Sequence, residues 1–240
     1  MASEEKLTIL EHLEELRERI LKSVIALLLT TMFSLIFTKR FLEILIAPMG
    51  DRNPVALKPT ETVIIYFKVA LIMGAAMAMP VILYQLIRFI VPGLTPTERR
   101  YLYIVIPFAT GLFVLGVAFA AFIMLPVSIK YLQQFLSDII KPTYSIDYYI
   151  SFVTMLLFWT GVIFETPLVI AFLARLGVIN PKMLSRNRKY AVIIVAIIAA
   201  VITPTPDPVN MTLVMAPLMI LYEVGVLLAK ITYRRRELAG

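Results

Sequence analysis

Residues 158–172 read FWTGVIFETPLVIAF, an apolar run that is interrupted by one carboxylate, Glu165. This run lies within a longer apolar stretch, 148–174, which is long enough to cross a bilayer as a helix, since a span needs about 20 mostly apolar residues. Across the chain, 60% of the 240 residues are hydrophobic, whereas soluble domains have roughly 45–50%. The stretch and the composition together predict an integral membrane protein.

Six apolar runs of this kind follow one another along the chain, and only Glu165 and Glu223 place a charge inside them. The runs cover residues 23–38, 69–87, 101–129, 148–174, 190–206 and 208–229. The first and the fifth are short for a span, so they need flanking residues or a locally thin bilayer to cross. The pattern predicts an all-α polytopic membrane protein with six transmembrane helices.

Prolines and long loops add detail to this bundle. Five prolines lie within or beside the predicted spans: Pro80, Pro107, Pro126, Pro167 and Pro217. Because a proline removes a backbone donor, each is expected to kink its helix, and the kinks predict a curved bundle. The first loop, 39–62, and the third, 130–147, are long enough to cap the bundle, and YLQQFLSDIIKPTYS in the third is expected to form a short interfacial helix.

The basic residues are unevenly distributed between the two sides of the predicted membrane domain. Sixteen of the 22 Lys and Arg residues in tails and loops lie in the two tails and in the second and fourth loops. Since cytoplasmic segments carry an excess of Lys and Arg, both termini are predicted to be cytoplasmic. Topology accounts for the net charge of +7, so no nucleic-acid partner is predicted. We expect one membrane domain over 1–240, with an amphipathic segment at about 5–19 and a basic tail at 230–240.

Catalytic chemistry has few candidate residues in this chain. His12 is the single histidine, and there is no cysteine, which excludes disulfides and thiolate metal sites. The sequence contains no H-E-x-x-H, G-x-S-x-G or G-x-x-x-x-G-K-[ST] motif. We therefore predict no enzymatic activity, no cofactor and no metal. No cleavage pattern follows the first apolar run, so a cleaved signal peptide is not expected.

The N-terminal stretch EHLEELRERI, residues 11–20, has the pattern of an amphipathic helix. Its apolar residues, together with the isoleucine before it, form one stripe at helical spacing: Ile9, Leu13, Leu16 and Ile20. Glu15 and Arg19 are spaced for an ordinary i,i+4 ion pair. The spacing alone favours a helix that lies in the membrane interface.

The second cytoplasmic loop, RFIVPGLTPTERRYL at 88–102, has two interpretations. Its Pro-Gly dipeptide makes a turn, Thr95 or Thr97 caps the next helix, and Glu98 then lies in the first turn, where the helix dipole favours an anion. An acid that is held at a fixed loop position can also bind an arriving guanidinium through two parallel hydrogen bonds.

Four motifs occur in order along the chain: HLEELRERI at 12–20, RFIVPGLTPTERR at 88–100, GVIFETPLVI at 161–170 and APLMILYE at 216–223. In this combination the chain resembles the TatC family, the multispanning core subunit of the twin-arginine protein translocase. The resemblance implies a six-helix, glove-shaped fold with cytoplasmic termini in the inner membrane. It also implies a receptor for the twin-arginine signal peptides of folded cargo. Such a receptor works in an oligomeric complex with the single-span subunits TatA and TatB, driven by the proton-motive force.

The resemblance further implies individual site residues. Two segments match the family's signal-peptide-binding motifs, through Glu15, Arg17, Phe89, Pro92, Leu94, Glu98 and Arg99. The loop and span positions of structural or functional weight are Pro48, Pro80 and Asp207. Asp207 stands in TPTPDPVNM, which departs from the family's Thr-Pro-Pro-Asp pattern by one inserted residue.

Glu165 is one of only two charged residues inside the six apolar runs. It lies ten residues before Arg175, hence roughly 15 Å inside a hydrocarbon core of ~30 Å, where a charge costs at least about 2.5–3.5 kcal/mol. Three interpretations are open: a protonated acid that shares hydrogen bonds with Thr154, Thr160 or a neighbouring helix, a titrating group in proton or ion transport, or a polar patch that hydrogen-bonds a partner's transmembrane helix. The residues alone do not decide between the last two interpretations. The resemblance implies partner docking, with a proton-coupled secondary transporter as the alternative function.

Overall fold

The computed structural model describes residues 9–50, 54–90, 96–135, 139, 143–203 and 207–237, with side chains described for these residues except 9–10, 90, 96–104 and 234–237. These residues are almost entirely helical. A single parallel bridge between Val55 and Ser145 is the β-pairing found among them. The all-α prediction is confirmed.

The described helices follow the six apolar runs in order. Ten α-helices are present among the described residues: α1 (Ile9–Ser34), α2 (Thr38–Ile46), α3 (Glu61–Ile90), α4 (Pro96–Phe119), α5 (Leu125–Gln134), α6 (Ile146–Phe164), α7 (Thr166–Arg175), α8 (Pro181–Arg186), α9 (Arg188–Ile202) and α10 (Pro208–Glu237). A 3-10 turn, Ala47–Met49, follows α2, and a π-helical turn, Ala120–Met124, joins α4 to α5.

Helix length distinguishes the spans from one another. Within the described residues, four stretches are long and apolar enough to cross a membrane: Glu61–Phe89, Val105–Gln134, Ile146–Arg175 and Pro208–Tyr233. The pair formed by α1 and α2 makes a fifth if it counts as one span bent by 77°. Helix α9 has 15 residues, or about 22 Å, which is short of a ~30 Å core, as its apolar run predicted. The chain is a multi-pass membrane protein.

The prolines act in two ways. Helices α3, α4 and α10 continue through Pro80, Pro107 and Pro217. Pro126 and Pro167 instead stand at the first turns of α5 and α7, directly after the π-helical turn and after a break at Glu165. A proline is tolerated at a helix start because the first N–H groups have no intrahelical partner there.

The chain divides into two compact units, one with residues 1–41 and 66–110 and the other with 42–65 and 111–240. In the first unit, α1 packs closely on α3. A Cβ added at Gly74 would lie 2.6 Å from Cα of Thr31, so only glycine permits this approach. Next to it, the hydroxyls of Thr30 and Ser34 donate to the carbonyls of Gly74 and Ala70 at 2.8 and 2.6 Å.

In the second unit, the first and third loops are joined to each other. Val55 donates its N–H to the Tyr144 carbonyl at 2.9 Å and accepts from Ile146 N–H at 3.0 Å. The Tyr149 hydroxyl donates to the Leu45 carbonyl at 2.7 Å. Of the interfacial helix predicted in the third loop, residues 131–134 form the end of α5, and residues 136–138 and 140–142 lie outside the described residues.

Candidate functional site

A groove of about 310 Å³ runs between α1 and α3 in the first unit. Its walls are mainly aliphatic and aromatic, with Leu16, Ile20 and Leu27 from α1 and Ile82, Leu86 and Phe89 from α3. Three polar residues, Arg19, Ser23 and Gln85, also line it. The groove is therefore an apolar surface with a cluster of polar side chains beside it.

That polar cluster centres on Arg19. Its Nη2 donates to Oε1 of Glu15 at 2.8 Å, and its Nη1 donates to Oε1 of Gln85 at 3.3 Å. The Glu15 and Arg19 side chains are only 18% and 16% exposed, so this pair is far better shielded than an ordinary surface pair. The i,i+4 pair predicted from spacing is confirmed, and its position beside the groove is what the spacing did not reveal.

Phe89 extends the same region. Its ring stacks on the His12 imidazole with ring centroids 4.5 Å apart and an interplanar angle of 19°. The single histidine of the chain thus packs against an aromatic ring that lines the groove. Next to Phe89, the guanidinium of Arg88 lies 5.6 Å from the centre of the Tyr84 ring.

The structure says less about the other residues that the resemblance implies for signal-peptide binding. Arg17 is exposed on α1, and Glu98 and Arg99 are the third and fourth residues of α4. The helix start expected at Glu98 is confirmed for the backbone, while the side chains of both residues lie outside the described part. Pro92 and Leu94 also lie outside it. The structure therefore brings together Glu15 and Phe89, through Arg19 and the groove.

Sequence reasoning missed Gln85 and His12 as neighbours of this site. Gln85 is only 8% exposed and is the one amide in the apolar run 69–87. A lone amide in a span is a signal that a partner lies nearby, because a buried polar group needs a hydrogen bond. The histidine carried no comparable signal, since its partner Phe89 is distant in sequence.

Glu165 stands at the break between α6 and α7 in the second unit and is 5% exposed. Its Oε1 is buried and has no hydrogen-bond partner among the described residues. The bonds to Thr154 and Thr160 that one of the three alternatives named are not formed: Thr154 donates to the Ile150 carbonyl at 2.6 Å, and Thr160 contacts Sδ of Met124 at 3.8 Å. Thr154 lies about 16 Å from Glu165 along the helix axis, which is out of hydrogen-bonding reach.

The three structural positions fall at different kinds of site. Pro48 lies in the 3-10 turn after α2 and lines a groove of about 470 Å³. Pro80 is half-buried inside α3. Asp207 precedes α10 and accepts from Asn210 twice, from its backbone N–H at 2.8 Å and from Nδ2 at 2.9 Å. This is the geometry of a helix N-cap.

Glu61 is a buried acid that the sequence reasoning did not single out. Only 6% exposed, it begins α3 and accepts four hydrogen bonds. Its Oε2 accepts from the N–H groups of Leu57 and Lys58, and its Oε1 accepts from the Ser145 hydroxyl and, at 3.1 Å, from Asp147 N–H. The only sequence signal was an acid directly after the turn KPT.

These features define a class: a multi-pass α-helical membrane protein with an apolar groove, a shielded acid–guanidinium pair beside it and a buried acid at a helix break. Residues 11–217 match the sequence model of the family described as "TatC: Sec-independent protein translocase protein". The chain therefore belongs to the TatC family.

Individual relatives agree with this assignment. The TatC protein of Carboxydothermus hydrogenoformans is 39% identical over 98% of this chain and 97% of its own length, and that of Aquifex aeolicus is 40% identical over 95% and 96%. The chain is also similar to a crystal structure of the twin-arginine translocase receptor TatC, with a TM-score of 0.84, 39% identity and coverage of 92% and 99%. The relatives are named as translocase components, which supports the predictions of a non-enzymatic translocase subunit over a proton-coupled transporter.

Proposed function

We propose that this chain is the signal-peptide receptor and core subunit of a twin-arginine protein translocase. The observation that carries the proposal is the shielded Glu15 carboxylate, held by Arg19 beside an apolar groove that Phe89 also lines. A twin-arginine signal peptide presents a guanidinium pair followed by a hydrophobic segment. Arg19 contacts only Oε1 of Glu15, so Oε2 is the oxygen proposed to accept from an arriving guanidinium, and the apolar groove matches the hydrophobic segment in polarity.

Recognition of arginine follows from the acceptor geometry. An ionised carboxylate offers about four lone-pair sites, and Glu15 uses Oε1 for Arg19. Arginine presents a planar fork that pairs with a carboxylate through two hydrogen bonds, whereas lysine is a point charge. Glu98 is the second acceptor in this proposal, and Arg17, Pro92, Leu94 and Arg99 complete the binding segments.

Neither acid is sufficient alone. Exposed ion pairs contribute about 0–1 kcal/mol each, so the two acids must act together and with apolar contacts along the groove. Phe89 and Leu94 are the proposed contacts to the hydrophobic segment. Because Glu15 is less exposed than a surface acid, salt screens it less, and it is expected to contribute the larger share.

The test measures binding of a twin-arginine peptide and of its twin-lysine analogue to the purified chain. We expect wild type to bind the arginine peptide about tenfold more tightly than the lysine peptide. Two ion pairs of up to about 1 kcal/mol each supply roughly that factor. Glu15→Gln and Glu98→Gln should each reduce this preference, and the double variant should abolish it. Glu18→Gln is the matched control, because Glu18 is exposed on the same helix in an i,i+4 pair with Lys22. If the double variant still discriminates as wild type does, the recognition site lies elsewhere.

The partners in this proposal are other subunits of the translocase, the single-span TatA and TatB. The buried Oε1 of Glu165 is an acceptor that a polar side chain on such a helix satisfies. No phosphate-loop motif is present in the sequence, so we propose that the proton-motive force supplies the energy.

The proposed orientation has both termini in the cytoplasm, with the chain in the inner membrane. Since Lys and Arg are concentrated on the cytoplasmic side, cysteines at Ser3 and Thr97 should react with an impermeant thiol reagent only after the cells are opened. A cysteine at Asp138 should react from outside. Labelling at Thr97 in intact cells overturns the orientation.

A further inference from the structure

A second apolar groove, of about 270 Å³, lies in the unit that contains Glu165. Helices α8, α9 and α10 and the α6–α7 junction form its walls, with Ile163, Met183, Leu184, Ile194, Leu218 and Tyr222 among the lining residues. Ile194 is 56% exposed although α9 belongs to a predicted span. The groove is therefore open toward the membrane side of α9.

Three basic residues directly precede lining residues of this groove in sequence. Lys182, Arg186 and Lys189 are exposed on the segment that forms α8 and the start of α9. The Lys189 ammonium lies 5.1 Å from the centre of the Tyr190 ring, and Tyr190 lines the groove. The lining residues that follow these cations in sequence are Met183, Asn187 and Tyr190.

The opposing charge nearby is already neutralised. Glu223, beside the lining residue Tyr222, is paired with Arg188 through two contacts of 2.7 and 2.8 Å. No ion pair with a described carboxylate engages Lys182, Arg186 or Lys189. An excess of positive charge therefore remains beside the groove.

The basic segment is held firmly against the bundle. The Tyr222 hydroxyl of α10 donates to the Leu184 carbonyl at 2.9 Å, and the Asn180 side chain caps α8 by accepting from Lys182 N–H at 2.9 Å. The Tyr222 bond joins α8 to α10, and the Asn180 cap stabilises the start of α8 itself. A ligand beside α8 meets a preorganised surface, which lowers the ordering cost of binding.

We propose that this groove binds an anionic phospholipid, with one acyl chain along the apolar lining and the phosphate beside Lys182, Arg186 and Lys189. Basic pockets between transmembrane helices bind anionic lipid head groups. The apolar lining suits an acyl chain, and the Lys189 ammonium beside the lining residue Tyr190 suits an anionic head group. This inference does not depend on how the signal peptide is bound.

The experiment counts lipids retained by the purified full chain in native mass spectrometry. The probes are phosphatidylglycerol and phosphatidylcholine with identical acyl chains. We expect wild type to prefer phosphatidylglycerol by at least about tenfold, since each cation near an anionic head group contributes about fivefold. The triple variant Lys182→Gln, Arg186→Gln, Lys189→Gln should bind the two lipids nearly equally. The control is Lys22→Gln, Lys58→Gln, Lys230→Gln, which removes the same charge from exposed positions elsewhere and should keep the preference.

A second pair of variants tests the groove itself. Ile194→Trp fills the groove and should reduce retention of both lipids severalfold. Ile197→Trp, on the same helix, 59% exposed and outside the lining, should leave retention unchanged.

Three results overturn the proposal. Equal loss of preference in both triple variants means that only net charge acts. Equal lipid retention in the two tryptophan variants means that the lipid does not occupy this groove. Loss of crosslinking to a single-span partner in Ile194→Trp, with lipid retention unchanged, means that the occupant is a helix.

Discussion

Two glutamates in the second unit, Glu61 and Glu165, are equally buried, at 6% and 5% exposure, yet their surroundings are opposite. Glu61 accepts hydrogen bonds from three backbone N–H groups and one hydroxyl. Oε1 of Glu165 accepts none from the described residues. Both stand at a helix start, but Glu165 is also the C-cap of α6, so the dipole of α6 opposes that of α7 there.

The difference shows that a buried acid in this protein is either fully hydrogen-bonded or left with an unsatisfied oxygen. Four donors satisfy both carboxylate oxygens of Glu61 and join the turn before α3 to the start of α6. An unsatisfied buried acceptor is costly, so Glu165 is retained at a cost to stability. An unsatisfied buried acceptor is the observation that supports the proposal of a partner helix at Glu165.

The largest effect is expected at Glu61. Glu61→Ala removes the acceptor and leaves buried donors without a partner, so the unfolding midpoint in detergent should fall by on the order of 10 °C. Glu11→Ala is the control, since Glu11 is an exposed acid in the first turn of α1. Equal shifts in the two variants mean that only the helix dipole matters and that the comparison with Glu165 fails.

At Glu165 we expect stability and function to separate. Glu165→Met has a similar volume and removes an unsatisfied group, so the free energy of unfolding should stay within about 1 kcal/mol of wild type or rise. Crosslinking to TatA and TatB helices should be lost in Glu165→Met and Glu165→Ala and largely kept in Glu165→Gln, which retains an acceptor. Equal loss of transport in the Gln and Ala variants with unchanged crosslinking points instead to proton handling.

A third acid, Asp207, gives the smallest effect. It caps α10, so Asp207→Ala should lower the free energy of unfolding by about 1 kcal/mol. Asp207→Ser keeps a capping oxygen and should recover most of that loss in the same thermal or denaturant measurement. If Asp207→Ala abolishes transport while stability is unchanged, Asp207 has a role beyond the cap.

Much of the candidate site was predictable where the signal is local. The Glu15–Arg19 pair follows from i,i+4 spacing, and the helix start before Glu98 follows from the loop motif. The bond from Arg19 to Gln85 joins residues 66 positions apart and has no local pattern. The alternative in which Glu165 bonds to Thr154 or Thr160 does not hold, because Thr154 donates to the Ile150 carbonyl and Thr160 contacts Met124 on another helical segment.

By itself, the sequence determined that this is a multi-pass helical membrane protein of the TatC family, since apolar run length and motif order are properties of the chain alone. Tertiary structure decided which acids are satisfied. Glu61 meets Ser145 and Asp147, 84 and 86 residues away, whereas Glu165 Oε1 meets no described donor. A helical pattern fixes which residues share a face, but hydrogen bonds between distant segments depend on how the helices pack, and that is set by contacts along the whole chain.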